Sequence, residues 1–203
     1  MLSQLVPSEL CLKCDICCRF PDSDSFLAPF FTEEEVQKAS RNGLSLDFFT
    51  GEKSGKIGLI PFPDEIESPG HNGGCQCPCF DPVSHQCSIY EARPFDCQIY
   101  PFVLMRLDRQ ALPSATPGFG GMESEAGRPL NVNQPNEVVL GMDTKCPFIR
   151  DRLNSPEIQA FSSELAQRLE SPTCQTLLLK NPDLIGPFQE DVVVLCRLRG
   201  LSA

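Results

Sequence analysis

The sequence predicts an α+β protein of irregular, loop-rich build, with short helices and a small sheet organised around its cysteines and a helical C-terminal tail. Three observations lead there. Nine of the twelve cysteines fall before residue 100, in two crowded stretches. Nineteen prolines and fourteen glycines interrupt the chain too often for many long elements. Sustained apolar spacing of the helical kind is concentrated in the last third.

Taken in order, residues 1–20 hold the first cysteine cluster. Thr32, followed three residues later by Glu35, is a capping-box signature that opens a helix, and Gly43 is placed to end it. Residues 50–74 read as loop with one short strand near 56–60, and the run from Ser68 to Gly74 (SPGHNGG) is a turn-rich lead-in. Residues 87–92 suit a helical turn stopped by Pro94. Residues 99–107 are apolar and β-rich, a strand with Pro101 near its start. Residues 112–136 read as an irregular insertion, and 137–142 as a second strand leading to Cys146-Pro147.

Beyond this, Ser155 as N-cap and Pro156 at the first helical position start a helix with Ile158, Phe161, Leu165 and Leu169 on one face. Residues 177–179 suggest another short helix. Phe188, Val192, Leu195 and Cys196 form a stripe on a last helix, with Arg197 and Arg199 in its final turn and Gly200 after it. The β-branched run Val192-Val193-Val194 also suits a strand. The expected organisation is a cysteine-cluster domain over 1–150 and a helical extension over 151–203 packed on it.

Charge and hydropathy exclude some partners. A formal net charge of −10, with no run of Lys or Arg, argues against nucleic acid, which needs a basic face. No apolar stretch approaches the roughly 20 residues needed to span a bilayer, so no membrane association is expected. The opening MLSQLVPSEL lacks a basic n-region and an apolar h-region, so no secretory signal is expected and the protein is read as cytoplasmic. A reducing compartment disfavours reading twelve cysteines as disulfides, and Cys17-Cys18 and Cys75-x-Cys77-x-Cys79 are too tight for easy bridging within each cluster.

Cys11-x2-Cys14-x2-Cys17 carries the chemistry. A two-residue gap lets a tight turn aim two sulfurs at one metal centre, and zinc and iron–sulfur irons both take thiolates tetrahedrally. Three such cysteines open the bacterial ferredoxin run, in which they supply three corners of a [4Fe–4S] cluster and the fourth ligand comes from elsewhere. Adjacent side chains point apart in most backbone conformations, so Cys18 is expected to serve a second centre or to be a packed free thiol, with bridging of two metals in one site as the alternative. Remote ligands come from Cys79, Cys87, Cys97 and Cys146, whose spacing is unlike the paired knuckles of a zinc ribbon.

The chain resembles the CxxCxxCC family of zinc- or iron-chelating cysteine-cluster proteins. The likeness runs through Cys11-Leu-Lys-Cys14-Asp-Ile-Cys17-Cys18, then Cys79-Phe80, then Cys87-Ser-Ile-Tyr90-Glu91-Ala-Arg93-Pro94, then Cys97 with Tyr100-Pro101, and a late Cys146-Pro147. It implies a metal or iron–sulfur site. By position before Phe80, Cys79 is taken as the ligand over Cys75 and Cys77, which depart from the pattern. Eight family-type cysteines (Cys11, Cys14, Cys17, Cys18, Cys79, Cys87, Cys97 and Cys146) permit two four-thiolate centres. The expected cofactor is an iron–sulfur cluster, [4Fe–4S] ahead of other types, with zinc as the alternative; the partner expected is a protein that exchanges electrons or metal. Some relatives are described as flagellin lysine N-methylases, which implies a second reading: a SAM-dependent lysine methylase with the metal as scaffold.

No catalytic residue is assigned. Arg93 is a candidate to offset thiolate charge, or else to pair with Glu91 or Asp96. His71 and His85 are the only histidines and read as loop residues. Gly118-Phe119-Gly120-Gly121 is no phosphate cradle, because no Lys-Ser/Thr follows it. Cys174 and Cys196 read as small buried apolar residues on helix faces.

Overall fold

The computed structural model describes residues 5–51, 53–63, 74–107, 137–189 and 191–202, and is α+β. His71, most of the turn-rich lead-in, the 112–136 insertion and the Gly118–Gly121 run lie outside the described residues. The chain forms two units: residues 1–101 with 145–153, and residues 102–144 with 154–203. The chain therefore crosses between them three times, whereas the sequence reading placed one boundary at 150.

The first unit is built from very short elements. Helix α1 (Ser8–Cys11) is followed by a 3-10 turn at Ile16–Cys18 and strand β1 (Arg19–Phe20). Strand β2 (Phe30–Phe31), helix α2 (Glu33–Arg41), β3 (Gly55–Lys56), β4 (Ile60–Pro61), β5 (Cys75–Gln76), β6 (Phe80–Asp81) and β7 (Gln86–Cys87) follow, then α3 (Phe95–Ile99) and, after the excursion, α4 (Pro147–Arg150). β5 lies between β1 and β4, antiparallel to both, while β2–β3 and β6–β7 are separate antiparallel pairs.

α2 forms where the capping signals put it. The Glu35 amide donates to Thr32 Oγ1 at 3.4 Å, and the Thr32 amide to Glu35 Oε2 at 2.9 Å. At the far end Gly43 takes φ 96°, which lets its amide reach Ser40 O and the Leu44 amide reach Ala39 O at 3.2 Å. The buried face, Val36 and Ala39, joins a core of Phe20, Phe31, Leu44, Ile57, Phe80, Ile89 and Ala92, and that core includes Cys77 and Cys79.

The second unit is a four-stranded sheet with two helices. β8 (Phe102–Leu107) and β9 (Glu137–Asp143) pair antiparallel at its centre, β10 (Gly186–Pro187) runs parallel to β8, and β11 (Val192–Ser202) runs antiparallel to β9. Helices α5 (Pro156–Leu169) and α6 (Pro172–Lys180) are each N-capped by a serine, Ser155 and Ser171, ahead of a proline. Ile158, Leu165 and Leu169 are buried, and the Phe161 ring stacks on Phe102 with centroids 5.4 Å apart.

Three expectations change. The last helix is strand β11: its β-branched valines pair with β9, Val193 opposite Met142, and the sheet decides a segment whose local pattern suits either form. Cys196 accordingly lies on a strand and Cys174 on α6. The strand expected from residue 99 begins at Phe102, because residues 95–99 are used by α3.

Candidate metal centre

Strand register brings the two cysteine stretches together. Cys18 directly precedes β1 and Cys77 directly follows β5. In that pair Arg19 lies opposite Gln76, and the ladder continues one step through the Cys77 amide, which donates to Cys18 O at 2.9 Å. The β6–β7 hairpin does the same further on. Phe80 stands opposite Cys87, and the Ser88 amide donates to Cys79 O at 2.8 Å. Its turn is held by Asp81, which accepts from the Val83 amide at 3.0 Å and from the Ser84 hydroxyl, and His85 takes φ 56° there with its ring edge-on to Phe80.

The first stretch curls as its spacing predicts. Cys11 ends α1, and the Cys14 amide returns to Cys11 O at 3.2 Å. Cys17 and Cys18 share the 3-10 turn, which the Asp15–Arg19 ion pair spans at 2.6 Å. Cys97 sits within α3. The start of that helix is fastened twice: Glu35 Oε1 accepts from the Phe95 amide at 2.7 Å, and Asp96 Oδ2 accepts from the Phe30 amide at 2.9 Å. Glu35 thus both caps α2 and aligns the helix carrying Cys97. Cys146 is the N-cap of α4, its carbonyl accepting from Ile149 and Arg150.

All twelve cysteines are free thiols, with Cys77, Cys79 and Cys146 buried and the others half-buried. Cys17 is the meeting point: its charge is felt by Cys11, Cys14, Cys18, Cys77, Cys87, Cys97 and Cys146. Cys79 is reached through Cys77, Cys87 and Cys97. All eight expected residues, and Cys77 as a ninth, therefore lie in one electrostatic neighbourhood. Burial pushes the Cys11, Cys14, Cys97 and Cys146 thiols up and Cys87 up to about 11. Hydrogen bonding splits two pairs: Cys17 is lowered by Cys18, and Cys77 by Cys79, while each donor is raised.

One separation corrects the sequence reading. The Cys17 and Cys18 sulfurs are 4.0 Å apart, so these adjacent side chains do not diverge. Four thiolates at 2.3 Å from one ion would stand about 3.8 Å apart along each edge of the tetrahedron. In a 3-10 turn of three residues, successive side chains rotate by about 120° rather than alternating as in a strand, which permits the approach.

The donor set suits a thiophilic metal in its chemistry, and the Cys17–Cys18 separation is close to that of two thiolates on one ion. The thiols are gathered but not closed on a point: among the described residues, no three or more His, Cys, Asp or Glu side chains stand ready to hold an ion. Arg93 supplies the positive complement. Its guanidinium stacks on the Tyr90 ring at 3.7 Å, donates to Tyr90 O at 2.9 Å and hydrogen-bonds the Cys11 thiol, lowering the cost of charge on Cys11, Cys17 and Cys87.

A family model, CxxCxxCC, described as "Putative zinc- or iron-chelating domain", matches residues 10–147. The chain belongs to the CxxCxxCC family. No curated protein and no solved structure matches it. The CxxCxxCC match takes in every gathered cysteine and supports metal binding by this stretch, while Cys174 and Cys196 lie outside it in the second unit. Cys77 is the residue the sequence reading missed. Its signal was the alternation Cys75-x-Cys77-x-Cys79, ambiguous until the β1–β5 register set Cys77 opposite Cys18. Cys75 instead lies in β5, opposite Phe20 and Pro61. His85 is exposed, as expected of a loop residue. No described helix is long and apolar enough to cross a membrane.

Proposed function

We propose that this is a cytoplasmic iron–sulfur protein, its [4Fe–4S] cluster structural or used for electron transfer. Cys11, Cys14, Cys17 and Cys146 would form one four-thiolate set, and Cys18, Cys79, Cys87 and Cys97 an adjoining one. The observation that carries this reading is the convergence of thiols from distant segments on Cys17. Cys146 neighbours Cys14 and Cys17, as the remote fourth ligand of a ferredoxin-like triple would. Cys18 instead has Cys77 and Cys97 beside it.

A bound cluster supplies one-electron chemistry and ties together segments that share little core. The chain's own contribution is to exclude water from Cys79 and Cys146 and to hold Arg93 against Cys11. The partner would be a protein that exchanges electrons or metal.

The 4.0 Å Cys17–Cys18 separation favours a second reading. A four-cysteine [4Fe–4S] cluster takes one thiolate per iron, whereas zinc takes several on one ion. Anaerobic purification with iron, sulfide and zinc analysis and a visible spectrum tests both. Brown protein with stoichiometric sulfide supports the cluster, colourless zinc-loaded protein supports zinc, and a folded, metal-free protein overturns the metal centre altogether.

A further inference from the structure

We propose that Cys18 and Cys77 are an oxidation site, a cross-strand thiol pair that a hydroperoxide converts to a disulfide tying β1 to β5. The two lie opposite each other one step beyond the β1–β5 ladder, where the Cys77 amide donates to Cys18 O at 2.9 Å. Charge on Cys77 is felt at Cys18, so the thiols as well as the backbones are neighbours. Opposed residues joined by a ladder hydrogen bond have Cα atoms about 5.5 Å apart, inside the roughly 4.4–6.8 Å that a disulfide takes. Their Cβ atoms share a face and stand about 5 Å apart, against about 4 Å in a disulfide. That small gap falls where the ladder ends, beside strands of two residues each.

Pairs nearer in sequence fit less well. The Cys17 and Cys18 sulfurs are 4.0 Å apart, but adjacent Cα atoms stand only about 3.8 Å apart, short of the disulfide range. Cys77 and Cys79 are 8% and 1% exposed, whereas Cys18 is half-buried, so an oxidant meets Cys18 first. The Cys18 sulfur attacks the peroxide: the O–O bond breaks, an S–O bond forms, and the leaving oxygen takes the thiol proton. The Cys77 sulfur then attacks the Cys18 sulfur: the S–O bond breaks, the S–S bond forms, and hydroxide leaves with the Cys77 proton as water. Two electrons pass from the thiols to the peroxide. In a reducing compartment the bond is transient, because thiol exchange returns it to the dithiol. While it lasts, Cys18 is withdrawn from the metal centre proposed above; only that consequence rests on the metal reading, and the cross-link itself does not.

The full chain is purified anaerobically, part of it is stripped with a chelator, and both parts are treated with hydrogen peroxide. Remaining thiols are alkylated, and cross-linked peptides are mapped by mass spectrometry without reduction. The stripped chain is expected to give Cys18–Cys77 as its main cross-link, reversed by dithiothreitol. Cys75→Ser, whose residue lies opposite Phe20, should keep that cross-link, and Cys77→Ser should lose it. Any other main cross-link, or none, overturns the proposal. Should Cys77→Ser not fold, the wild-type map decides by itself. The unstripped chain is expected to lose metal as the bond forms; the bond with full metal retained overturns the withdrawal of Cys18. A chain that holds no metal yet forms Cys18–Cys77 overturns the metal centre and supports this inference. A metal-loaded chain whose stripped form makes another bond, or none, overturns this inference alone.

Discussion

The sulfurs of Cys17 and Cys18, neighbours in the chain, stand 4.0 Å apart within one 3-10 turn. That places Cys18 inside the thiol neighbourhood rather than behind it. Cys18→Ala is therefore expected to reduce bound metal as much as Cys17→Ala does. Elemental analysis of the two variants beside the wild type checks this, and a fully loaded Cys18→Ala would return Cys18 to the role of packed thiol.

Metal should hold the first unit together. Its strands are two residues long, and its core is small and includes two of the gathered cysteines. Ligand sets drawn from distant segments contribute binding energy directly to folding. Cys14→Ser, or chelation of the wild type, is expected to lower the melting temperature by about 10 °C or more, as losing several kcal/mol would in a chain of this length. Calorimetry with and without chelator measures it; an unchanged midpoint in Cys14→Ser would remove Cys14 from the site.

Arg93 hydrogen-bonds the Cys11 thiol while its guanidinium donates to Tyr90 O. Arg93→Ala is expected to weaken metal binding about 10–100-fold, the usual cost of losing a group that orients or balances a ligand. Arg93→Lys should recover part of it, since the charge returns without the planar stack on Tyr90. Competition against a chromophoric chelator gives both values.

Asp96 supplies a pH dependence with a definite sign. Burial raises its carboxyl to about 7, against the partial relief of the Phe30 amide, and Glu35 adds repulsion. The native state therefore holds a proton that the unfolded state has released. Stability from this group is complete below the unfolded value near 4 and is lost as pH rises through about 7. Asp96→Asn keeps an oxygen for the Phe30 amide and carries no charge. It should match the wild type at pH 4 and exceed it at pH 8, by thermal melts at matched metal content. Equal melts at pH 8 would contradict a desolvated carboxylate.

Local signals were legible where a few residues satisfy each other without help. Thr32 and Glu35 close their capping box, Ser155 and Pro156 open α5, and Cys11-x2-Cys14 makes its turn, because each needs only neighbours within one helical turn. The α+β class and the family followed from cysteine spacing and turn residues for the same reason.

What the sequence determined by itself was the supply of thiols and the turns that present them. Tertiary structure alone decided which thiols meet. Cys77 lies beside Cys18 because β1 pairs with β5 in one register, and a slip of one residue would turn it to the other face. Likewise the 192–202 segment became a strand because β9 offered an edge with matching amides, a non-local reward that no periodicity within the segment encodes.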